Sequence, residues 1–364
     1  MKRCGRCGHP LRLSKGYVWP GNGTIFARND PTLRMAIFEA DYYSHVWSAL
    51  EERLGVGMAD TIIRGQGAAV QDYLQSNVPY GWRRALMRRL PLRYGFKRVV
   101  DEMSLFGFGR LEMMDYRRGE AMVVRVVNPF DMIYLALGIK GFFELVEGAG
   151  SRLAWTPEGE DYVLTISSLP RAVGSPGVDA EALLAVQEAK RELSAVETQL
   201  PGRGPQQERC AACGLPLVLD GLEWREREGT IYARQFERRF IFTSGYVFLG
   251  TVRDLERRTG ADLERVVLEI TKNYHLRRLQ GIPEMSREDV YRSVAEHISA
   301  GGFGVVLDST SGEGRLEMTI GNPFHLPRVV GRVAAAFEFV EGRGAEISYE
   351  RTQPYLLKLE IKAA

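Results

Sequence analysis

The pattern of hydrophobic and polar positions predicts the same order of elements in both halves of the chain. Short apolar runs broken by Gly, Asn and Pro predict three early strands in each half, at 11–13, 17–19 and 24–28 and at 217–219, 222–225 and 230–234. A helical period then predicts one helix over 33–54 and another over 240–258, each ended by a glycine. Each half should therefore begin as a few short strands followed by helices.

Alternation of apolar and polar residues marks the second part of each half. It predicts strands at 108–114, 121–127, 152–156 and 162–167, and at 305–307, 315–320, 345–350 and 355–361. Asn128 and Pro129 are typical of a helix start, and Gly148 is typical of its end. This order predicts the α+β class, with antiparallel sheets covered by helices.

An internal duplication accounts for the repeated order. The segment CGRCG from Cys4 recurs as CAACG from Cys210, and GTIFAR from Gly23 recurs as GTIYAR from Gly229, both at an offset of 206. The tripeptide NPF returns at an offset of 194. We therefore predict two tandem repeats that form an intramolecular pseudo-dimer, with twelve extra residues in the helical middle of the first.

The repeats and the segment between them give five predicted units. A hairpin with a CxxC pair at 1–30 precedes a domain at 31–168, and a second such hairpin at 207–236 precedes a domain at 237–364. The segment 169–206 is predicted to be a helical linker, because Asp179 is a good N-cap and apolar residues follow it at heptad spacing.

All four cysteines lie in the two CxxC pairs, and each pair continues as Cys-Gly-x-Pro-Leu, which is typical of a zinc knuckle. One knuckle supplies two ligands, whereas structural zinc needs four. We therefore predict one structural zinc ion shared by Cys4, Cys7, Cys210 and Cys213. A metal-free remnant stays open as an alternative, while a redox pair is disfavoured because neither CxxC begins a helix in a βαβ unit.

Composition, net charge and missing motifs exclude or disfavour several classes of protein. The 364 residues are about twice a usual single domain, and the formal charge of +2 gives no global field to attract nucleic acid. No apolar run is long enough to span a bilayer, and no apolar segment follows the first basic residues as in a secretory signal. These features predict a cytoplasmic protein without membrane contact. The sequence also has no P-loop, dinucleotide or GxSxG motif, which disfavours those enzyme classes.

One local stretch is strongly basic. Between residues 82 and 98 there are seven basic residues and no acidic one. A solvated helix face is the usual interpretation, and an anionic partner or nucleic acid is the alternative. The candidate anion-binding residues are Arg83, Arg84, Arg88, Arg89 and Arg93.

The second part of each repeat resembles the 4-vinyl reductase domain family, also described as bacterial hydrocarbon-binding domains and related in fold to small TRAPP vesicle-tethering subunits. The resemblance is carried by Gly-Phe-Gly at 107–109 and 302–304, a strand hairpin, the NPF helix start, a helix of small residues and two closing strands. It implies a small apolar molecule held between helices and sheet, often in a sensor or adaptor. The zinc cysteines that some members carry in the C-terminal half are absent, so those ligands do not transfer.

The resemblance and the aromatic positions suggest where a ligand would lie, although a plain packed core stays the alternative. The predicted wall residues are Tyr42, Trp47, Phe108 and Phe130 in the first repeat, with Tyr246, Phe303 and Phe324 in the second. Of the two repeats, the second is expected to hold the open pocket, because Gly245 and Gly250 replace bulk in its predicted first helix.

Three functions follow in order of preference. The first is a non-enzymatic protein that binds a small apolar ligand, or a scaffold with a protein partner, built around structural zinc. The second is a nucleic-acid-binding regulator that uses the knuckles and the basic stretch. The third is an enzyme acting on a tetrapyrrole or hydrocarbon, which only the family name suggests.

Overall fold

The computed structural model describes residues 2–77, 92–170, 179–200, 208–234, 238–281 and 285–364. Within these ranges the fold is α+β, with antiparallel sheets, as predicted. The α-helices are α1 Leu11–Gly16, α2 Ala40–Leu54, α3 Ala59–Asn77, α4 Leu92–Leu105, α5 Met132–Glu147, α6 Ala180–Ser194, α7 Tyr246–Thr259, α8 Leu263–Leu279, α9 Arg287–Ala300 and α10 Leu326–Glu341. A 3-10 helix spans Leu217–Gly221.

The strands form three sheets. They are β1 Tyr17–Val18, β2 Ile25–Ala27, β3 Asp30–Glu39, β4 Arg110–Arg117, β5 Ala121–Val127, β6 Ser151–Glu158, β7 Asp161–Ser168, β8 Leu222–Arg225, β9 Thr230–Ala233, β10 Arg238–Ser244, β11 Val305–Gly312, β12 Arg315–Gly321, β13 Ala345–Gln353 and β14 Leu356–Ala363. A central six-stranded sheet has the order β1-β2-β3-β10-β9-β8. Two four-stranded sheets have the orders β4-β5-β7-β6 and β11-β12-β14-β13.

Strands from both halves meet in the middle of the central sheet. β3 and β10 pair antiparallel, with Ile37 opposite Phe242. Each of these strands also bonds to a segment from the opposite half: the Ile37 amide donates to the Gly301 carbonyl, and the Phe242 amide donates to the Phe106 carbonyl, both at 2.9 Å. The central strands of each half therefore lie on the helix and sheet layer of the other half.

An arginine on each central strand, buried in β3 and half-buried in β10, reinforces this crossed packing. Arg34 in β3 donates to the carbonyls of Gly302 at 3.2 Å and Asn322 at 2.6 Å. Arg239 in β10 makes the corresponding bonds to Gly107 at 3.0 Å and Asn128 at 2.6 Å. Guanidinium groups have several fixed donors and suit such clusters of carbonyl oxygens.

The predicted helices over 33–54 and 240–258 are wrong in their first parts. Residues up to Glu39 belong to β3, and residues up to Ser244 belong to β10, so the helices begin only at Ala40 and Tyr246. The apolar run from 35 to 38 fits a buried strand as well as a helix, and pairing between the two halves decides in favour of the strand. The glycine ends are confirmed, because Gly55 and Gly260 adopt left-handed C-cap conformations.

Two short predicted strands and one predicted helix start also differ. Residues 11–13 lie in α1, and residues 217–219 lie in the 3-10 helix that follows the second knuckle. Asn128 has a φ of 49° and precedes the helix, while Asp131 is the N-cap and accepts the Tyr134 amide at 2.8 Å. A short polar residue tolerates this left-handed conformation, which turns the chain from β5 into α5.

A helix, α6, is present within the segment 169–206, and Asp179 caps the amides of Glu181 and Ala182 at its start. One face of α6 is buried against α3 and α7. Gly250 of α7 makes the close approach possible, because a Cβ there would lie 2.7 Å from Val186 Cα in α6. The glycine therefore serves close helix packing.

Replacing Gly250 with Ala should destabilise the protein by about 1–3 kcal/mol, because the two helix backbones would have to separate. Gly138→Ala in α5 is the matched control, since a Cβ at Gly138 meets no atom within 4 Å. That change should stabilise the protein by about 0.5–1 kcal/mol through helix propensity. Chemical denaturation measures both, and equal effects would contradict the packing argument.

Candidate metal centre and ligand cavity

The two CxxC pairs meet although they lie about two hundred residues apart. The sulfur atoms of Cys4 and Cys210 are 3.8 Å apart, and those of Cys7 and Cys213 are 3.5 Å apart. All four sulfur atoms lie within 4.8 Å of one another. Four thiolates at about 2.3 Å from a central zinc ion would lie about 3.8 Å apart. The four cysteines could therefore hold one metal ion.

Both knuckles use the same turn to present their sulfur atoms. In the first, the Cys4 amide donates to the His9 carbonyl, and the Gly8 amide donates to the Cys4 carbonyl. In the second, Cys210 and Gly214 make the equivalent bonds. The two glycines have φ values of 75° and 76°, which strongly favour glycine. The shared Cys-Gly sequence thus follows from the shape of the turn.

The thiols differ in their acidity. Hydrogen bonds from the backbone amides of Cys7 and Arg6 lower the pKa of Cys4 to about 6. Burial raises the pKa of Cys7 to about 12. Cys4 is therefore ready to act as a thiolate near neutral pH, whereas Cys7 needs a bound cation to lose its proton. Metal binding should release protons for this reason.

Side chains from each knuckle also bind the other half. Arg3 donates to the Trp224 carbonyl, and Arg209 donates to the Trp19 carbonyl, both at 2.5 Å. His9 is 97% buried, and its Nε2 lies 2.9 Å from Asp220 of the second knuckle. These contacts hold the two cysteine pairs face to face.

A second feature is a cavity of about 860 Å³ on the side of the first-half helices α3, α4 and α5. The start of α7 and the end of β10 complete its wall. Its apolar lining comprises Leu33, Met35, Ala69, Val70, Val99, Met103, Leu105, Phe106, Phe108, Ile139, Phe142 and Val247. Tyr17, Tyr134 and Tyr246 add aromatic surface with a polar end.

Few polar groups reach the inner wall. Tyr134 and Thr243 lie there with their hydroxyl oxygens 3.4 Å apart. Gln66 also lines the cavity and is only 8% exposed. Its side-chain amide can donate to or accept from a polar group of a ligand.

The seven predicted wall residues separate into two groups. Phe108 and Tyr246 line the cavity, and Phe130 lies behind Phe108 with ring centroids 4.8 Å apart. The other four lie in the packed core around α2, α7 and α10, namely Tyr42, Trp47, Phe303 and Phe324.

The expectation that the second half holds the open pocket does not match this location. In α10, Arg328 and Arg332 occupy the places of Tyr134 and Gly138 in α5, at the offset of 194. The Arg328 guanidinium carbon lies 3.8 Å from the ring centroid of Tyr42 and 4.3 Å from that of Phe38. Side chains therefore fill the corresponding space in the second half.

Buried ionisable groups surround this filled site. Glu39, at the end of β3, is 5% exposed, and its carboxylate lies 3.9 Å from Nδ1 of His275. Burial raises the pKa of Glu39, but the neighbouring His275, Arg332 and Arg328 outweigh that effect and lower it. Burial also lowers the pKa of His275. Within the described residues, Oε2 of Glu39 and Nη1 of Arg328 make no hydrogen bond.

The basic stretch falls mostly outside the described residues. Arg83, Arg84, Arg88 and Arg89 lie there, and of Arg93 only the backbone, in α4, is described. Arg98 lines the cavity with its side chain 77% exposed. The prediction of a nucleic-acid contact through this stretch stays a prediction.

The sequence reasoning missed most of the cavity, including Gly138, Tyr134 and the basic residues Arg12, Lys15 and Arg28. One signal was available in the sequence: Gly138 in α5 aligns with Arg332 in α10 at the offset of 194. Such a difference in side-chain size between two helices aligned in sequence indicates that the interiors beneath them differ.

No protein-family model matches the chain, and no curated protein matches it in sequence. Within the described ranges, none of the helices combines the length and the apolar character needed to cross a membrane.

Proposed function

We propose that this protein is a non-enzymatic receptor or scaffold that binds a small apolar molecule in the first-half cavity, with a structural zinc ion clipping its two halves together. The observation that carries the proposal is the cavity of about 860 Å³. Ligand sites in proteins usually have about 300–1,000 Å³ and a mostly apolar lining with a few polar groups. This cavity has a volume in that range and a mostly apolar lining.

Apolar surface around a cavity of this size stays in contact with water, whereas protein interiors are normally close-packed. In the corresponding space of the second half, Arg328 packs against Phe38 of β3. The first half instead keeps Gly138, whose missing side chain leaves room. The open space beside Gly138 therefore supports a ligand-binding role for the cavity.

We infer that the chain is a duplicated, tandem pseudo-dimer in which only one of two ligand sites is kept. The paired contacts of Arg34 and Arg239 and the mirrored order of the central sheet support this inference. The resemblance of each half to 4-vinyl reductase domains agrees with a ligand between helices and sheet. Zinc fits the metal centre because four cysteine sulfurs are a common ligand set for structural zinc.

The lining supports binding more than catalysis. Among the described residues that line the cavity there is no His or Cys, and the carboxylate present, Glu102, lies near Arg98. His, Cys and carboxylate side chains are the groups that most often serve general acid–base or nucleophilic catalysis. A sensor or adaptor role requires only a shaped pocket.

A neutral fluorescent probe, N-phenyl-1-naphthylamine, tests this function. Gly138→Leu should weaken its binding at least about tenfold, because the new side chain projects into the cavity and removes volume. Gly67→Leu is the matched control, since Gly67 lies in α3 with open space around it and does not line the cavity. Fluorescence titration measures both. No saturable binding to the wild type, or equal binding to Gly138→Leu, would overturn the proposed function.

A further inference from the structure

The cavity has a basic side that an entirely apolar ligand would not need. Four cationic side chains line it, from three parts of the fold: Arg12 and Lys15 in α1, Arg28 after β2, and Arg98 in α4. Glu102 is the acidic residue among the described lining. The inner wall, by contrast, is aliphatic and aromatic.

Two of these cations already have acidic partners. Arg12 lies 3.0 Å from Asp101, and Arg98 lies 3.5 Å from Glu102, both in α4. These pairs leave Lys15 and Arg28, both exposed, as the other lining cations.

Lys15 and Arg28 have no carboxylate within 4.0 Å in the described ranges. Arg28 is held in place, because its Nε donates to the Lys15 carbonyl at 3.2 Å and its Nη2 donates to the Ser14 carbonyl at 3.3 Å. The guanidinium is therefore held against the backbone of α1 at Ser14 and Lys15. Two lining cations from neighbouring segments, neither paired with a carboxylate among the described residues, are suited to bind one anionic group.

We propose that the ligand is an amphiphile, with an apolar body in the cavity and an anionic head, a carboxylate or a phosphate, bound by Lys15 and Arg28. This inference rests on the proposed function and specifies its ligand class. The side-chain amide of Gln66, which also lines the cavity, offers a further polar contact. The net charge of the whole chain contributes little, so the preference for an anion arises locally.

The experiment compares two fluorescent probes with the same chain, cis-parinaric acid and its methyl ester. The acid should bind the wild type at least about tenfold more tightly than the ester at low salt, because charged hydrogen bonds exceed neutral ones. Lys15→Glu should weaken binding of the acid at least about tenfold and leave binding of the ester nearly unchanged. Lys358→Glu makes the same charge change at an exposed position in β14, away from the cavity, and should alter neither.

A competing alkyl phosphate of the same chain length distinguishes the two head groups. Stronger displacement of parinaric acid by the phosphate than by a fatty acid assigns a phosphate ligand, and the reverse assigns a carboxylate. Equal binding of acid and ester, or an unchanged acid affinity in Lys15→Glu, would overturn the anionic head while leaving the proposed function intact. Failure of the ester and of the neutral naphthylamine probe to bind would instead overturn the proposed function itself.

Discussion

Cys7→Ser and Cys213→Ser should each remove the same single metal ion, although the two residues are 206 positions apart. Each substitution takes one sulfur from a four-sulfur site whose members lie within 4.8 Å. Because the ion joins the N-terminal knuckle to the second half, its loss should also lower the free energy of unfolding by at least about 3 kcal/mol. Metal content per chain and thermal unfolding measure the two effects.

Ala212→Ser is the matched control for this experiment. It adds a hydroxyl group to the exposed turn between Cys210 and Cys213 without removing a ligand. Its metal content and stability should equal those of the wild type. Two metal ions per chain, each lost with only one of the cysteine pairs, would contradict the shared centre.

Arg34→Leu should destabilise the protein by about 3 kcal/mol or more. Arg34 is 2% exposed, and its guanidinium donates to the carbonyls of Leu193, Gly302 and Asn322. Leucine would leave these buried carbonyl oxygens without a donor, at about 1–3 kcal/mol each where water cannot replace it. Burial lowers the pKa of Arg34 to about 9, so the side chain is still charged at neutral pH.

Two further variants make this prediction specific. Arg239→Leu should have a similar effect, because Arg239 binds the carbonyls of Gly107 and Asn128 in the same manner. Arg292→Leu removes a guanidinium that is 65% exposed and should change the free energy of unfolding by less than about 1 kcal/mol. Urea denaturation of the three variants measures these changes in the free energy of unfolding. Small losses of stability for both Arg34→Leu and Arg239→Leu would contradict the role of these arginines in joining the halves.

The metal centre could be predicted from the sequence because neither CxxC pair can complete a four-ligand site by itself. A knuckle with Cys4 and Cys7 supplies two ligands, and the only other cysteines are Cys210 and Cys213. The requirement for four ligands therefore links distant segments without any knowledge of the fold. Elements with strong local signals, such as α6 after Asp179, were predictable for a similar reason.

The central strands could not be predicted in the same way. The apolar run before Ala40 fits both a helix and a buried strand, and only its pairing with β10 selects the strand. That partner lies in the other half of the chain. Local periodicity carries no information about such contacts, so the predicted helices began too early.

The cavity was hidden because its wall combines separate elements. The predicted wall residues were chosen because they are aromatic, but Tyr42 and Trp47 pack in the core. The open space depends instead on Gly138, which has no side chain. Lys15 and Arg28 come together only through the contact between α1 and the end of β2. Neither the absence of a side chain nor the meeting of two distant charges produces a periodic pattern.

Native mass spectrometry of the protein purified without denaturant detects bound metal and a retained small molecule in the same measurement. We expect one zinc ion and one small-molecule adduct per wild-type chain, with Gly138→Leu keeping the zinc and losing the adduct. Gly67→Leu should keep both. A wild-type chain that carries zinc but neither retains an adduct nor binds the neutral naphthylamine probe would contradict ligand binding in the cavity, as would an adduct that Gly138→Leu retains in full.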